Sequence, residues 1–336
     1  PAGNFSWMNA RADQVRVIFP GPTIFSYIRA YLRFDVTSFL RAVEDAVWRE
    51  SLSPGKSDAS MYYFGNFVIK SVKESEYRFL KDVYLGMFAK YVEVNPNTLI
   101  CKFFALFSVY WLKKGTRRHF VVMNNVFWTK HYINKIYDIK GSTAGRDADA
   151  QGARTAYGAL LLKDNDLPPQ LIICGPMKRA SLLAQLRSDT SFLASLGIVD
   201  YSCVIGIRTR VFTKENRHRE QQRPAATASG GGGTDASSSS ASVAGMSSND
   251  NDVSLMSFTA VDGGILSLPI YAENDASTVR EDTYYVGLID VLQTYTPQKR
   301  LEHFAKGLLL DKHSISVVPP SEFSERLCKI IERITV

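Results

Sequence analysis

The stretch YDIKGSTAGR, Tyr137 to Arg146, gathers carboxylate, cationic and hydroxyl side chains around a glycine. On an extended strand Asp138 and Lys140 point to the same side while Ile139 points into the fold. Gly141 then permits a tight backbone, and Ser142 and Thr143 supply hydroxyls. Such a group could hold a phosphate and its counter-cation, as glycine-rich turns beside a lysine do. The competing reading is a surface turn closed by an Asp138–Lys140 ion pair.

Lys70 ends FVIK, and strand alternation sets it opposite Ile69, facing a cleft. A strand lysine there reaches nucleotide phosphates as a fixed point charge, with Glu76 in the following helical stretch as its ion-pair partner. The alternative is a solvated strand end. Asp290 interrupts the apolar GLIDVL. A carboxylate ending a buried strand is costly unless it is paired or binds metal, which points to magnesium. Asp200, in IVDYS, sits between a helix and an apolar strand, as a general base, a second magnesium ligand or a cap on local amides. The KDNDL run, Lys163 to Leu167, precedes LPP as polar loops do. Near the C-terminus, TPQKRLEHFAKGLL puts Leu301, Phe304, Leu308 and Leu309 near one helical face and spaces Lys299, His303 and Lys306 as helix neighbours. It would lie on an anionic surface, each cation worth about 1 kcal/mol, or pack on its own core.

Around these residues stands a chain of 336 residues, long enough for two domains or lobes, with 45% hydrophobic and 22% charged residues, as globular proteins have. Its net charge of +7 favours anionic partners without choosing among nucleic acid, nucleotide and phosphoinositide membrane. The 4 cysteines are widely spaced with no C-x-x-C pair, which argues against a zinc ribbon or disulfide scaffold and for a reducing compartment. The 5 histidines lack metal-protease spacing, and residue order shows no Ser/His/Asp set. No apolar run reaches the roughly 18 residues of a membrane span, and no signal pattern opens the chain, so membrane contact is expected to be peripheral. Pro1 in place of Met suggests a fragment of a longer protein.

The elements that must position the charged residues follow from periodicity. Phe19 to Glu50 reads as helical. MYYF and FVIKSV, separated by Gly65-Asn66, read as a hairpin. SEYRFLKDVYLGMFAKYV is a second helix, broken by Asn95-Pro96-Asn97. FFALFSVYWL and HFVVMNNVFW are strands joined by a Lys113–Arg118 turn. A helix over Lys178 to Leu196, closed by Gly197, precedes the buried strand SCVIGI. Arg223 to about Asp252 is Ala, Ser, Gly and Asn, too poor in large apolar side chains to offset its ordering entropy, and reads as a disordered insertion. TYYVGLIDVL and a final helix follow it. There is no internal repeat.

In this order the motifs resemble the phosphatidylinositol phosphate kinases. FVIKSV is similar to that family's nucleotide-lysine strand and VVMNN to its hinge. YDIKGSTAGR resembles its Asp-Leu-Lys-Gly-Ser motif and KDNDL its Lys-Asp-x-Asp-Phe segment. IVDYSCVIGI resembles its Met-Asp-Tyr-Ser-Leu-Leu motif, and YYVGLIDVLQTY the strand bearing its metal-binding aspartate. The likeness runs from about Phe25 to Ile330, apart from an insertion near 220–256.

The resemblance implies an α+β, two-lobed kinase-like fold. An antiparallel-sheet N-lobe would span 1–124 and a smaller mixed C-lobe 125–336. Lys70, with Glu76, would contact ATP phosphates, and Val122, Met123 and Asn124 would line the nucleotide. Lys140 and Arg146 would handle phosphate charge, with Asp138 orienting Lys140. Asp290 would bind Mg2+, and Asp200 would be the acid near the attacking hydroxyl. QKRLEHFAKGLLLDKHSISVVPP would be the membrane-facing specificity loop. Lys299 and Arg300 stand where the type I branch has its dilysine, and Glu302 where it has its glutamate, which aligns the chain with the enzymes making phosphatidylinositol 4,5-bisphosphate from the 4-phosphate. GKSDAS departs from the family's glycine-rich stretch, because Asp58 would repel ATP phosphates unless turned away. The implied partners are a phosphoinositide substrate, an anionic membrane at the cytoplasmic face of the plasma membrane, no nucleic acid, and a second copy of the chain through the N-lobe. The rival reading is a catalytically weak phosphoinositide-binding scaffold, and a nucleic-acid binder rests on charge alone.

Overall fold

The computed structural model describes residues 14–32, 34, 37, 39–41, 49–52, 60–129, 131–148, 152–155, 158–213, 264–271, 277–296 and 318–336. Lys299, Arg300 and Glu302, the amphipathic segment around them, the Ala/Ser/Gly-rich insertion and most of GKSDAS lie outside the described residues.

The first sheet is antiparallel and six-stranded, in the order β1-β5-β6-β4-β3-β2. Its strands are β1 (Val15–Ile18), β2 (Arg49–Leu52), β3 (Ser60–Phe64), β4 (Phe67–Val72), β5 (Phe103–Trp111) and β6 (Thr116–Asn124). Gly65-Asn66 joins β3 to β4, with Phe64 opposite Phe67, as the hairpin pattern requires. Gly65 takes a positive φ of 51°, which a glycine supplies without strain. Two helical stretches lie beside this sheet. The first is α1 (Pro22–Tyr31); the second, α2, runs through Glu74–Phe79, a π-helical turn Leu80–Tyr84 and Leu85–Val94, and stops at Asn95.

The helix expected over Phe19 to Glu50 is thus not continuous in the described residues: beyond α1, residues 37 and 39–41 are helical again. It begins after Gly21 and Arg49 and Glu50 belong to β2. Phe34, between the helical pieces, packs against Phe67 and Phe104, and helical Phe39 packs on Phe64 and Phe67, so the aromatic spacing faces the sheet. Arg117 and Arg118, expected in a turn, are strand residues, because Trp111 pairs with Thr116 and the turn tightens to the residues between.

The second sheet has the order β10-β12-β9-β7-β8, with β11 also on β12. It comprises β7 (Lys135–Ile139), β8 (Leu160–Leu162), β9 (Ser202–Thr213), β10 (Ile265–Leu266), β11 (Ile270–Tyr271) and β12 (Thr278–Ile289). Only β7 and β8 pair in parallel. Two helices pack together beside it, α3 (Pro176–Ser195) and α4 (Pro320–Ile334). Leu182, Leu186 and Leu193 of α3 are fully buried, and Gly197 past its end takes φ 70°. The fold is α+β with one antiparallel and one mixed sheet.

One apolar cluster joins the two sheets. It runs from Phe25, Val68 and Phe88 through Leu99 and Ile100 to Ile205, Leu288 and Phe323. Each such side chain contributes about 1.5–3 kcal/mol when fully buried. A second cluster, including Phe64, Phe67, Ile69 and Val122, covers the other face of the first sheet. Val68 and Val72 enter the shared core and Ile69 the outer one, so β4 alternation leaves Lys70 on the inward face, toward the second sheet.

Candidate active site

β9 and β12 pair along their whole length, from Thr278 opposite Thr213 to Ile289 opposite Ser202. That register brings Asp200, just before β9, beside Asp290, the residue after β12. Both adopt left-handed backbone conformations, φ 64° and 62°, alone among the described non-glycine residues. Each costs roughly 1 kcal/mol or more, and aspartate is among the few side chains that tolerate it. The ladder behind them holds the turn that local preference disfavours.

Two lysines meet these carboxylates from different sheets. Lys70 of β4 is ion-paired with Asp290. Lys140, the residue after β7, donates to the Asp200 carboxylate at 2.9 Å and to its carbonyl at 2.8 Å. The Asp290 side chain is 49% exposed and that of Lys70 only 18%, so the carboxylate faces the opening and the ammonium emerges from its wall. Burial opposes charge on both. The opposite charge of the partner outweighs it, holding Lys70 above and Asp290 below their ordinary ranges. A cleft of about 610 Å³ opens on Lys70, Lys140, Asp200 and Asp290 together.

The turn carrying Lys140 is fixed from beneath by Asp164. Its buried carboxylate accepts the Lys140 amide at 3.1 Å, the Gly141 amide at 2.7 Å and Arg146 Nε at 2.7 Å. Arg146 also donates to Asp138 Oδ1 at 3.1 Å and is bonded to its carbonyl. Burial would lower the Arg146 pKa, but Asp138 and Asp164 hold it above the ordinary value. Gly141 has φ 79°, and a Cβ there would lie 3.3 Å from Arg326 Nε, so both backbone and space favour glycine.

Paired lysines and aspartates at one opening suit a polyphosphate. Lysines can neutralise its charge, and Asp200 and Asp290 could supply the one or two carboxylates that magnesium takes alongside phosphate and water. No cluster of three or more metal-ligating side chains stands among the described residues.

The family model Phosphatidylinositol-4-phosphate 5-Kinase matches residues 42–334. The chain belongs to this family. A phosphatidylinositol 4-phosphate 5-kinase of Schizosaccharomyces pombe is 30% identical over 340 residues, covering 93% of this chain and 45% of its own. A probable phosphatidylinositol phosphate kinase of Dictyostelium discoideum is 31% identical over 349 residues, covering 93% and 47%. A phosphatidylinositol 4-phosphate 5-kinase of Arabidopsis thaliana is 29% identical over 365 residues, with the same coverage as the Dictyostelium protein. The chain therefore spans a little under half the length of these relatives.

In this phosphatidylinositol phosphate kinase family member Lys70, Glu76, Lys140, Asp200 and Asp290 line one cleft, but the pairings differ from expectation. Asp138 pairs with Arg146 rather than with Lys140, because β7 ends at Ile139 and strand alternation stops there. Glu76 does not hold Lys70. Its carboxylate accepts the Lys73 amide at 2.8 Å and caps α2, and Asp290 takes the lysine. Val122, Met123 and Asn124 are buried and do not line the cleft. Val122 and Met123 enter the cores on opposite faces of the sheet, while Asn124 Oδ1 accepts the Lys102 amide at 2.7 Å. Asn124 pairs opposite Phe67, so it lies roughly 10 Å along β4 from Lys70. Asp164, read from sequence only as part of a polar run, is the structural centre of the turn. The available signal was KDNDL, a carboxylate directly after an apolar strand.

Proposed function

We propose that the chain is an ATP-dependent lipid kinase that transfers the γ-phosphate of ATP to the 5-hydroxyl of phosphatidylinositol 4-phosphate, producing phosphatidylinositol 4,5-bisphosphate. The observation that carries this reading is the meeting of Lys70–Asp290 and Lys140–Asp200, from two sheets, at one cleft. ATP phosphates entering there would meet Lys70, and its base would lie along β4 toward Val122–Asn124. Asp200 would accept the proton of the attacking hydroxyl. The hydroxyl oxygen forms a bond to the γ-phosphorus while the bond to the bridging oxygen of ADP breaks. Lys140 would offset the charge of the phosphoryl group in flight. Magnesium held by Asp290, with Asp200 near, would neutralise phosphate charge. Positioning and charge neutralisation of this kind account for most of phosphoryl-transfer catalysis.

Arg146 supports the turn that bears Lys140, so its effect on substrate is through that turn. Lys299, Arg300 and Glu302 would read the lipid headgroup. The net charge of +7 supports docking on an anionic membrane, at the cytoplasmic face of the plasma membrane in this reading. No helix among the described residues is long and apolar enough to cross a membrane. We place the lobe boundary at Asn124, where the first sheet ends, and assign a homodimer contact to the first lobe.

The test is transfer from labelled ATP to vesicles carrying phosphatidylinositol 4-phosphate or 5-phosphate, with Asp290→Asn as control. Transfer to the 4-phosphate, lost in the variant, supports the kinase. Vesicle binding without transfer to either lipid supports the scaffold instead.

A further inference from the structure

Asp189 lies in the middle of α3, is 0% exposed, and takes no part in the cleft. Its Oδ1 accepts Tyr91 Oη at 2.7 Å, Thr98 Oγ1 at 2.7 Å and Gln185 Nε2 at 3.0 Å, and its Oδ2 accepts the Leu99 amide at 2.7 Å. None of these donors is a cation. A carboxylate buried without a counter-charge is a costly way to join helices, and apolar packing would serve adhesion better. What a carboxylate offers here is acceptors only, enough for several donors from different segments.

The gripped segment leads to the strand bearing Asp290 and to the end of β6 in the first sheet. Leu99 carbonyl accepts the Leu288 amide at 2.8 Å, and the Cys101 amide donates to Leu288 carbonyl at 2.8 Å. Ile100 thereby bridges Leu288 in parallel, two residues before Asp290. Onward, Lys102 exchanges bonds with Asn124, its amide donating to Oδ1 at 2.7 Å and its carbonyl accepting at 3.1 Å. Segment 98–102 is thus clamped by Asp189 at one end, the first sheet at the other, and the strand bearing Asp290 between them. Tyr91, on α2, also stacks on Phe192 of α3 at 4.2 Å, so the clamp sits where the helices of the two lobes meet.

We propose that Asp189 is a positioning residue for phosphoryl transfer: by holding Thr98 and Leu99 it fixes the register of segment 98–101 against β12, and so the place of Asp290 opposite Lys70. This rests on the kinase reading for its catalytic consequence, though its structural half stands separately. An asparagine at this position keeps one oxygen acceptor and replaces the other with an amine that faces donors, so the register loosens while the helix stays.

The experiment compares the full chain with Asp189→Asn and Thr98→Val, the second removing a single donor should the first fail to fold. kcat and KM for ATP are measured per mole of folded protein on phosphatidylinositol 4-phosphate vesicles, alongside amide hydrogen exchange at Leu99, Cys101 and Leu288. The expected result is kcat lower by about 10- to 100-fold in Asp189→Asn, KM for ATP within about 3-fold, and a smaller change of the same kind in Thr98→Val. Exchange at Cys101 and Leu288 should accelerate about tenfold or more, while β4 amides keep their protection. A kcat per folded protein within about twofold of the parent, or acceleration spread evenly over the chain, overturns the proposal and leaves Asp189 a helix-packing residue. Absence of transfer by the parent chain would sink the kinase reading, and exchange at Leu288 would then decide the positioning claim: unchanged protection there in the variants refutes it.

Discussion

Asp290 and Asp189 put the same side chain to opposite uses. Asp290 is half open to the cleft, faces the Lys70 ammonium and is held below the ordinary carboxyl range. Asp189 is sealed among neutral donors, and burial pushes its carboxyl up to about 6 although those donors pull the other way. The open carboxylate is countered by a cation that an incoming polyphosphate can engage. The sealed one is saturated by donors that cannot leave without the fold opening. Reactivity in this molecule is thus placed at strand ends, where backbone strain and exposure coincide, and rigidity is placed one layer behind.

The contrast is sharpest in Asp290→Asn. Phosphate transfer is expected to fall by about a thousandfold or more, while thermal stability changes little, because an exposed ion pair contributes about 0–1 kcal/mol. A variant that loses transfer only in proportion to lost folding would erase the distinction. Arg146→Met should do the reverse of Asp290→Asn at the level of stability. It strands the buried Asp164 carboxylate, and urea unfolding should report a loss of about 3–5 kcal/mol. A midpoint unchanged within error would mean that the Asp138–Arg146–Asp164 set is not what shapes the turn.

Asp189 gives the pH arm of the comparison. Its folded pKa of about 6 exceeds the ordinary 3.8, so the native state binds this proton more tightly than the unfolded chain. Stability from this group is therefore greatest below about pH 4, falls as pH rises to about 6, and is flat above, a total on the order of 3 kcal/mol. The parent minus Asp189→Asn difference in unfolding free energy should decline across that window; a flat difference would show that the carboxylate is ionised throughout. The smallest effect is expected at Glu76→Ala, about 1 kcal/mol from the lost cap on α2, with KM for ATP unmoved. A large rise in KM would restore Glu76 as the partner of Lys70.

Lys70, Asp200 and Asp290 could be singled out from sequence because each borders or interrupts an apolar run, and Lys140 because it sits in a charged cluster around a glycine, both of which are visible locally. Their partners were not visible. Lys70 and Asp290 are 220 positions apart and meet only because β4 and β12 end against one core, whereas Glu76 was the nearest carboxylate along the chain. Strand alternation assigned Lys140 to Asp138 by assuming that β7 continues one residue further than it does. Asp164 was read as part of a polar loop because its donors, the Lys140 and Gly141 amides and Arg146, come from 18 to 24 positions away, and Asp189 escaped because none of its donors carries a charge. The hairpin, α3 with its glycine stop, and the break at Asn95 were legible because periodicity and turn chemistry agree there.

The β9–β12 ribbon carries Asp200 and Asp290 at one end and the Thr213–Thr278 pair at the other, roughly 35–40 Å away along the strands. The chain leaving β9 at Thr213 therefore departs far from the cleft end, and a longer connection there costs about 0.6 kcal/mol of closure entropy per doubling. For the same reason, the end of β9 at Thr213 is the described point at which a grafted reporter domain would sit well away from the cleft.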